Sequence, residues 1–311
     1  MKDKLGINIA RLGPLIGLIL IIILLSFLSE NFFTLNNILN LLRQISINAL
    51  IAFGMTFVIL TAGIDLSVGS MLALGSALTA GMITSGMDPI LAIFLGLLLG
   101  LLLGAMNGII ITKGKVAPFI ATLATMTIFR GATLVYTEGK PITGLSDSTA
   151  FEMIGKGYFF WIPVPVIIMI IVFVILFFLL NNTVFGKRVY AVGGNEEAAT
   201  LSGVKTDNVK IWVYAITGML SVLAGIILMS RLNSAQPTAG TMYELDAIAA
   251  VVIGGTSLMG GRGRITGTLI GCLIIGVISN GLNLLNVSSF YQQIVKGAVI
   301  LFAVMLDRRS N

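Results

Sequence analysis

The sequence contains no histidine, a single cysteine and few charged residues. Without histidine, the chain lacks the commonest metal ligand and the usual proton carrier near neutral pH. Cys272 has no second cysteine with which to form a disulfide or a thiolate metal site. Charged residues make up 10% of the 311 positions, against about a quarter in soluble domains. These absences exclude a disulfide scaffold, a histidine metal centre and an ordinary water-soluble fold.

Long apolar runs take the place of the missing charges. The sequence is 57% hydrophobic and has a mean hydropathy of +1.03. A bilayer core about 30 Å thick needs roughly 20 apolar residues for each helical crossing. Such runs recur from one end of the chain to the other and leave no stretch for a soluble domain. We therefore expect an all-α fold, a polytopic transmembrane helical bundle that forms a single domain over residues 1–311.

The apolar runs predict about ten spans. These spans are Leu12–Leu28, Ser46–Gly63, Leu66–Thr84, Ile90–Ile111, Phe119–Thr137, Pro163–Leu180, Ile211–Ser230, Ala247–Met259, Thr266–Leu285 and Tyr291–Leu306. If the N-terminus is cytoplasmic, 13 of the 19 lysines and arginines fall in cytoplasmic loops. This bias predicts that both termini are cytoplasmic. The expected location is the inner or sole cytoplasmic membrane, with lipid around the helices. It also explains the net charge of +6 without nucleic-acid binding.

Three segments depart from a regular crossing. The basic N-terminus and the run Leu15–Leu28 look like a signal peptide, but they lack a small-residue cleavage site, so we expect a retained first helix. The span Ala247–Met259 is short for a crossing. The segment Ile64–Gly69 is either a loop or a break inside the membrane.

The 36 glycines include regularly spaced sets. Four of them recur at every fourth position of one predicted span: Gly96, Gly100, Gly104 and Gly108. Such small-residue faces let membrane helices approach closely, because lipid gives apolar helices little other reason to associate. We expect these glycines to serve helix packing.

The loop at about residues 182–210 is the longest one predicted on the cytoplasmic side, and it contains its own helix signal. Asn195 is a favourable N-cap, and Glu196 and Glu197 would lie in the first turn, where the helix dipole favours negative charge. Ala198, Ala199 and Leu201 give a small apolar face, and Gly203 suits the end of the helix. A short capped helix of this kind predicts a docking surface, and the alternative is an ordinary connecting loop.

Residues 197–203 resemble the EAA loop of ATP-binding-cassette importer permeases, since Glu197-Ala198-Ala199 is followed by Gly203. Two further segments, 63–70 and 243–256, look like signatures of the ribose, xylose and galactose branch. Segments 234–240 and 281–285 look most similar to its ribose members. The resemblance runs from about Asn31 almost to Leu306, so it covers nearly the whole chain.

This resemblance implies a function and a set of partners. The chain would be the membrane-spanning subunit that passes a monosaccharide, with D-ribose as the first candidate, into the cytoplasm by alternating access. It would act as a homodimer, with a cytoplasmic ATPase subunit on the loop at 182–210 and an extracytoplasmic sugar-binding protein on the outer face. A related pentose or hexose remains an open alternative, as does a secondary carrier or a channel.

The chain lacks the means to bind ATP through a phosphate-cradling loop. That loop requires G-x-x-x-x-G-K-[ST]. At Gly114-Lys115, the first glycine is replaced by Ile109 and the hydroxyl residue by Val116. We therefore expect no cofactor on this chain, no enzyme activity of its own and ATP hydrolysis on another subunit.

Charged residues within or beside the spans are candidates for gating, because ionisable groups are costly in a membrane. The charged candidates are Asp65, Glu244 and Asp246. Ser67 and Gly69, which follow Asp65 in the same family signature, are candidates with them. Asp65 would bind backbone N–H groups or pair with a base. Glu244 and Asp246 are equally well explained as charges at the start of a helix.

Polar side chains within apolar runs are candidates for the translocation path. They are Asn48, Asn107, Arg130, Asn280 and Asn283. Amide groups suit the hydroxyls of a sugar, and we expect some of them to line a water-filled path. The alternative for each amide is a hydrogen bond between helices, worth roughly 0.6–2 kcal/mol.

Overall fold

The computed structural model describes the backbone of residues 2–145 and 149–307 and the side chains of residues 13–145, 151–299, 301 and 305. The basic side chains of Lys2, Lys4, Arg11, Arg308 and Arg309, which support the predicted orientation, lie outside that part. The helices are α1 Lys2–Leu28, α2 Leu35–Leu60, α3 Val68–Thr84, α4 Pro89–Thr112, α5 Pro118–Thr137, α6 Thr149–Lys156, α7 Val164–Asn182, α8 Val184–Gly194, α9 Glu196–Leu201, α10 Thr206–Leu232, α11 Tyr243–Ile253, α12 Ile265–Leu284 and α13 Ser289–Asp307.

Among the residues that the structure describes, six helices are long and apolar enough to cross a membrane: α2, α4, α5, α7, α10 and α12. Two shorter apolar helices, Gly13–Leu28 and α3, accompany them. The prediction of a polytopic helical membrane protein is therefore confirmed.

The fold is not purely α-helical, because two short β-ribbons join the loops. Strand β1 (Ile142–Thr143) pairs antiparallel with β4 (Ser234–Ala235), and β2 (Tyr158–Phe159) pairs with β3 (Ile162–Pro163). In the first ribbon Ile142 lies opposite Ala235, which ties the loop after α5 to the end of α10. Strands of two residues carry no periodic pattern, so the expectation of an all-α fold missed them.

Helix α2 forms the centre of the bundle. Every residue from Ala49 to Leu60 is buried, and α10, α12, α11 and α7 pack around it. A helix that is apolar on all sides is buried either in a protein core or in a membrane, and α2 lies in the protein core. By contrast, α4, α5 and α7 present large exposed apolar side chains such as Phe94, Val135 and Phe178. Those outer faces suit contact with lipid.

The glycine face of α4 packs directly against α10. A Cβ on Gly104 would collide with the carbonyl group of Tyr214, and one on Gly100 would lie 2.7 Å from the carbonyl oxygen of Gly218. On α10, a Cβ on Gly218 would collide with the backbone of Gly100. The two backbones are therefore in contact without intervening side chains, as the spacing of the glycines predicted.

Three of the predicted spans extend beyond the helices that the structure contains. Helix α2 ends at Leu60 and α3 begins at Val68, so Ser46–Gly63 and Leu66–Thr84 both extend into a non-helical segment. The span Ala247–Met259 is also incorrect, because α11 ends at Ile253. Its 11 residues rise only about 16 Å, roughly half of a bilayer core. Helix α3 begins at the buried Val68, whereas Thr241 and Met242, just before α11, are exposed.

The α4–α10 contact gives a test of the packing. Replacing Gly104 by Val should destabilise the bundle by about 1–3 kcal/mol, because the side chain has no space beside Tyr214. Gly17→Val is the matched control, since a Cβ at Gly17 meets nothing within 4 Å. Thermal unfolding of the purified variants in detergent checks this, and equal melting midpoints for the two variants would contradict it.

Candidate functional site

The break between α2 and α3 is organised by the carboxylate of Asp65. This side chain is fully buried, and its Oδ1 accepts hydrogen bonds from the backbone N–H of Ser67 at 2.9 Å and from its hydroxyl at 2.6 Å. The amide of Asn107 on α4 donates to the same hydroxyl at 2.8 Å. Of the two roles expected for Asp65, the structure shows coordination of a backbone N–H group. The turn starts α3 in place of a conventional cap.

Neighbouring helices also hold the carbonyl oxygen of Ile64. Thr122 on α5 donates to it at 3.2 Å, and the hydroxyl of Tyr214 on α10 lies at 3.5 Å. A Cβ on Gly63 would lie 2.5 Å from the Tyr214 hydroxyl, so only glycine fits there. Sequence analysis did not select Tyr214 or Thr122 for this position, because their partner is a backbone atom far away in the sequence.

The signature segment 63–70 meets the segment 234–240, which leads to α11, near the start of α3. A Cβ on Gly69 would collide with the carbonyl oxygen of Gly240, and one on Gly240 would lie 2.6 Å from the carbonyl oxygen of Gly69. Gly240 also has φ +71°, a conformation that favours glycine. Residues separated by 171 positions thus form one site, as neither signature alone indicated.

Arg130 on α5 clamps this junction. Its guanidinium donates to the carbonyl oxygens of Pro237 at 2.7 Å and Ala239 at 2.9 Å, and it approaches that of Gly69 at 3.5 Å. These carbonyl groups belong to non-helical backbone or to the first turn of α3. Arg130 therefore supplies the donors that the interrupted backbone requires in a membrane.

The two acidic residues of α11 lie on different sides of the junction. A Cβ on Gly69 would lie 2.7 Å from Oε2 of Glu244, so this carboxylate lies against the start of α3. Asp246 is buried and pairs with Lys296 of α13 at 2.7 Å. Both lie in the first turn of α11, as a helix-start role requires.

The four asparagines that are candidates for the translocation path differ in their burial and in their hydrogen-bond partners. Asn107 is fully buried beside Ser67, and Asn280 exchanges two hydrogen bonds with Asn37 of α2 at 2.7 and 3.0 Å. Asn283 is exposed and accepts from Gln292 at 2.8 Å, and Asn48 is half-buried in α2. The bonds of Asn107 and Asn280 support the alternative of contacts between helices, and a role in the path stays a prediction for all four residues.

The segment predicted to dock a partner folds into two helices, α8 and α9, rather than a loop. Oδ1 of Asn195 accepts from the N–H of Ala198 at 2.9 Å and so caps α9. Glu196 pairs with Lys210 of α10 at 2.5 Å, while Glu197, Ala198 and Leu201 are exposed. Only Ala199 is buried in α9, and Gly203 follows with φ +83°. The predicted short helix and its cap are therefore present, with most of its surface open.

Helix α8, which carries α9, touches the end of α2 and the connection between α11 and α12. A Cβ on Gly193 would collide with the carbonyl oxygen of Leu60, the last residue of α2. The N–H of Gly261, in the connection after α11, donates to that same oxygen at 3.0 Å. Tyr190 donates to the carbonyl oxygen of Gly263 at 2.9 Å, and burial raises the pKa of its phenol, so it remains a donor. The paired glycines 193–194 and 260–261 were the only signal of this contact in the sequence.

The described residues offer no site for a metal ion, since no group of three or more His, Cys, Asp or Glu side chains converges there. Polar groups are instead concentrated at the α3–α11 junction and on α9. The chemistry that this arrangement allows is hydrogen bonding inside the bundle and docking of a partner at one end of it.

Comparison with known proteins identifies the family. Residues 37–304 match the family described as branched-chain amino acid transport system, permease component. The chain belongs to this permease family. It is thus a transport component in a membrane and not itself an enzyme, and the resemblance found in its sequence is confirmed.

Named relatives of this permease are similar over nearly their full length. The ribose import permease protein RbsC of Bacillus subtilis is 67% identical over 301 residues, which are 97% of this chain and 94% of the relative. RbsC of Escherichia coli K12 is 54% identical, covering 96% and 93% of the two chains. The D-allose transport system permease protein AlsC of the same strain is 44% identical, covering 90% and 85%. No solved structure gives a significant match.

The Asp65 turn yields a prediction for the permease. Asp65→Ala should destabilise the protein by about 1–3 kcal/mol, because it leaves the buried N–H of Ser67 without its acceptor. Asp65→Asn should lose much less stability, since the amide oxygen of asparagine can still accept that hydrogen bond. Thermal unfolding in detergent measures both, and an Asn variant as unstable as the Ala variant would show that the negative charge, not the turn, is what matters.

Proposed function

We propose that this permease is the membrane-spanning subunit of an ATP-driven importer that passes D-ribose into the cytoplasm. The observation that carries the proposal is the 67% identity to RbsC of Bacillus subtilis over almost the whole of both chains. The exposed, capped helix α9 supports it, because such a helix suits a protein partner outside the membrane. The lower identity to AlsC makes allose a weaker candidate.

The proposed topology has about ten crossings in the bacterial cytoplasmic membrane, with both termini in the cytoplasm. The excess of lysine and arginine in alternate loops supports this orientation. Helix α11 covers about half of the bilayer by its length. The non-helical residues 236–242, held by Arg130, would complete that crossing.

ATP hydrolysis is assigned to a separate ATPase subunit that docks on α9. The absence of a phosphate-cradling sequence supports a separate subunit. Glu197 and Ala198 are exposed on α9, and 83% of Leu201 is exposed, so polar and apolar groups are both available for contact. A second copy of the permease and an extracytoplasmic sugar-binding protein complete the proposed complex. Most of the selection among sugars would belong to the binding protein.

The contacts below α9 suggest how docking would drive alternating access. When the ATPase subunits close on ATP, α9 would move together with α8. Gly193 on α8 abuts Leu60, and Leu60 accepts a bond from Gly261. Movement of α8 would therefore act directly on the end of α2, where the non-helical segment before α3 begins. It would also act on the connection between α11 and α12.

Transport by the reconstituted complex tests the proposal. Vesicles containing the permease, its ATPase and its binding protein should accumulate radiolabelled D-ribose only when ATP is present. Omission of either partner should abolish accumulation. ATP-dependent uptake of another sugar alone would correct the substrate, whereas uptake without partners would replace the importer by a carrier or a channel.

Substitutions in the docking segment test the role of α9. Glu197→Gln and Gly203→Val should each lower ATP-dependent uptake several-fold while the amount of permease in the membrane stays unchanged. The valine is disfavoured at φ +83°, so the end of the helix would shift. Uptake per permease and co-purification of the ATPase are the measurements.

A matched control lies near the opposite end of α10. Glu152→Gln removes an exposed carboxylate that pairs with Lys156 at 3.1 Å. Because exposed pairs of this kind contribute little to stability, this variant should transport like the unaltered permease. Normal uptake by both docking variants would refute the role assigned to α9.

A further inference from the structure

A cavity of about 390 Å³ opens beside the α3–α11 junction. Its polar wall consists of Ser70, Thr127, Arg130, Thr241 and Glu244. This volume falls in the range of roughly 300–1,000 Å³ that is typical of small-molecule sites. Neither the family match nor the names of the relatives assign a role to this cavity.

The two charged groups of the wall are used differently. The Nη1 of Arg130 is bonded to the carbonyl oxygens of Pro237 and Ala239 and is therefore committed to the backbone. The carboxylate of Glu244 is attracted by the charge of Arg130, yet none of the ion pairs among the described side chains joins the two. This carboxylate also accepts from the backbone N–H groups of Met242 and Glu244. Because a carboxylate has about four acceptor sites, Glu244 retains acceptor capacity toward the cavity.

The depth of Arg130 in α5 indicates that the cavity faces protein or water rather than lipid. Arg130 lies 12 residues after the start of α5, about 18 Å along the helix axis, which places it within the span. Charged groups at such depth face protein or water, because contact with lipid tails is costly. Ile128, which is 60% exposed on the same helix, has a side chain suited to lipid.

The chemistry of the wall suits a molecule with many hydroxyl groups. A carboxylate accepts hydrogen bonds. The hydroxyls of Ser70, Thr127 and Thr241 donate to backbone carbonyl oxygens, and their lone pairs can accept hydrogen bonds from a ligand. Met126 and Leu134 add an apolar surface for the C–H groups of a sugar ring. Such mixed walls orient a small polar ligand, while the open mouth favours brief occupancy over tight binding.

We propose that this cavity is a sugar-contacting site on the translocation path, a role that rests on the proposed import of ribose. Glu244 is its direct hydrogen-bond acceptor for a monosaccharide hydroxyl. Arg130 is a positioning residue that fixes residues 237–239 and, through them, the start of α11. The hydroxyls of Thr127 and Thr241 face the same ligand.

Cysteine accessibility tests whether the cavity is wet and whether sugar enters it. The permease has one cysteine, the buried Cys272, so Cys272→Ala provides a suitable background. In the complete reconstituted complex, Thr127→Cys should react roughly tenfold faster than Ile128→Cys with a membrane-impermeant cationic thiol reagent, because lipid excludes charge. D-ribose supplied with the binding protein and ATP should slow the reaction at position 127 several-fold. L-ribose is the control ligand.

Kinetics separate a contact with the sugar from a purely structural role. Glu244→Ala should reduce ribose uptake roughly tenfold or more, since a charged acceptor is lost, while ATP hydrolysis stimulated by the binding protein persists. Glu244→Gln, which keeps an acceptor, should recover part of the uptake. Glu152→Gln again serves as the control at an exposed carboxylate.

The outcomes distinguish this inference from the proposed function. If the unaltered complex imports ribose but Thr127→Cys reacts no faster than Ile128→Cys, or D-ribose fails to protect it, the site is overturned and the importer stands. Unchanged uptake by Glu244→Ala has the same meaning. Failure of the unaltered complex to import ribose overturns the proposed function, and this site with it.

Discussion

The backbone of a membrane protein has to satisfy its own hydrogen bonds, because the bilayer core offers no water. Non-helical segments precede α3 and α11, so the chain before each has no helical partners for its polar groups. Asp65 supplies an acceptor on one side of the junction, and Arg130 supplies donors on the other. The surrounding helices are arranged so that the buried Asp65 and the half-buried Arg130 reach the interrupted backbone.

Close contact between helices makes that arrangement possible. The glycines of α4 bring its backbone against α10, which carries Tyr214 to the carbonyl oxygen of Ile64 and places Asn107 beside Ser67. Gly69 and Gly240 then allow the starts of α3 and α11 to touch. Small residues therefore serve stability and also define the place where polar groups meet in an otherwise apolar bundle.

The junction is connected to the docking helix through α8. Gly193 contacts the end of α2 at Leu60, and Gly261 after α11 bonds to the same carbonyl group. The end of α2 and the connection after α11 are thus joined at a point next to α9. A partner that moves α9 can act on both without a long chain of intervening side chains, which is a physical basis for coupling.

The sequence alone determined the membrane environment, the small-residue face of α4 and the capped helix α9, because each depends on local composition or on spacing within a few turns. It also carried the family resemblance, through residues such as Glu197 and Gly203 that are adjacent in the chain. Only the tertiary structure decided that α2 ends at Leu60, that α11 is half a crossing, and that Arg130 reaches residues 237–239. The carbonyl groups that Arg130 meets lie more than 100 positions away in the chain, and no local pattern records which distant carbonyl group a side chain will meet.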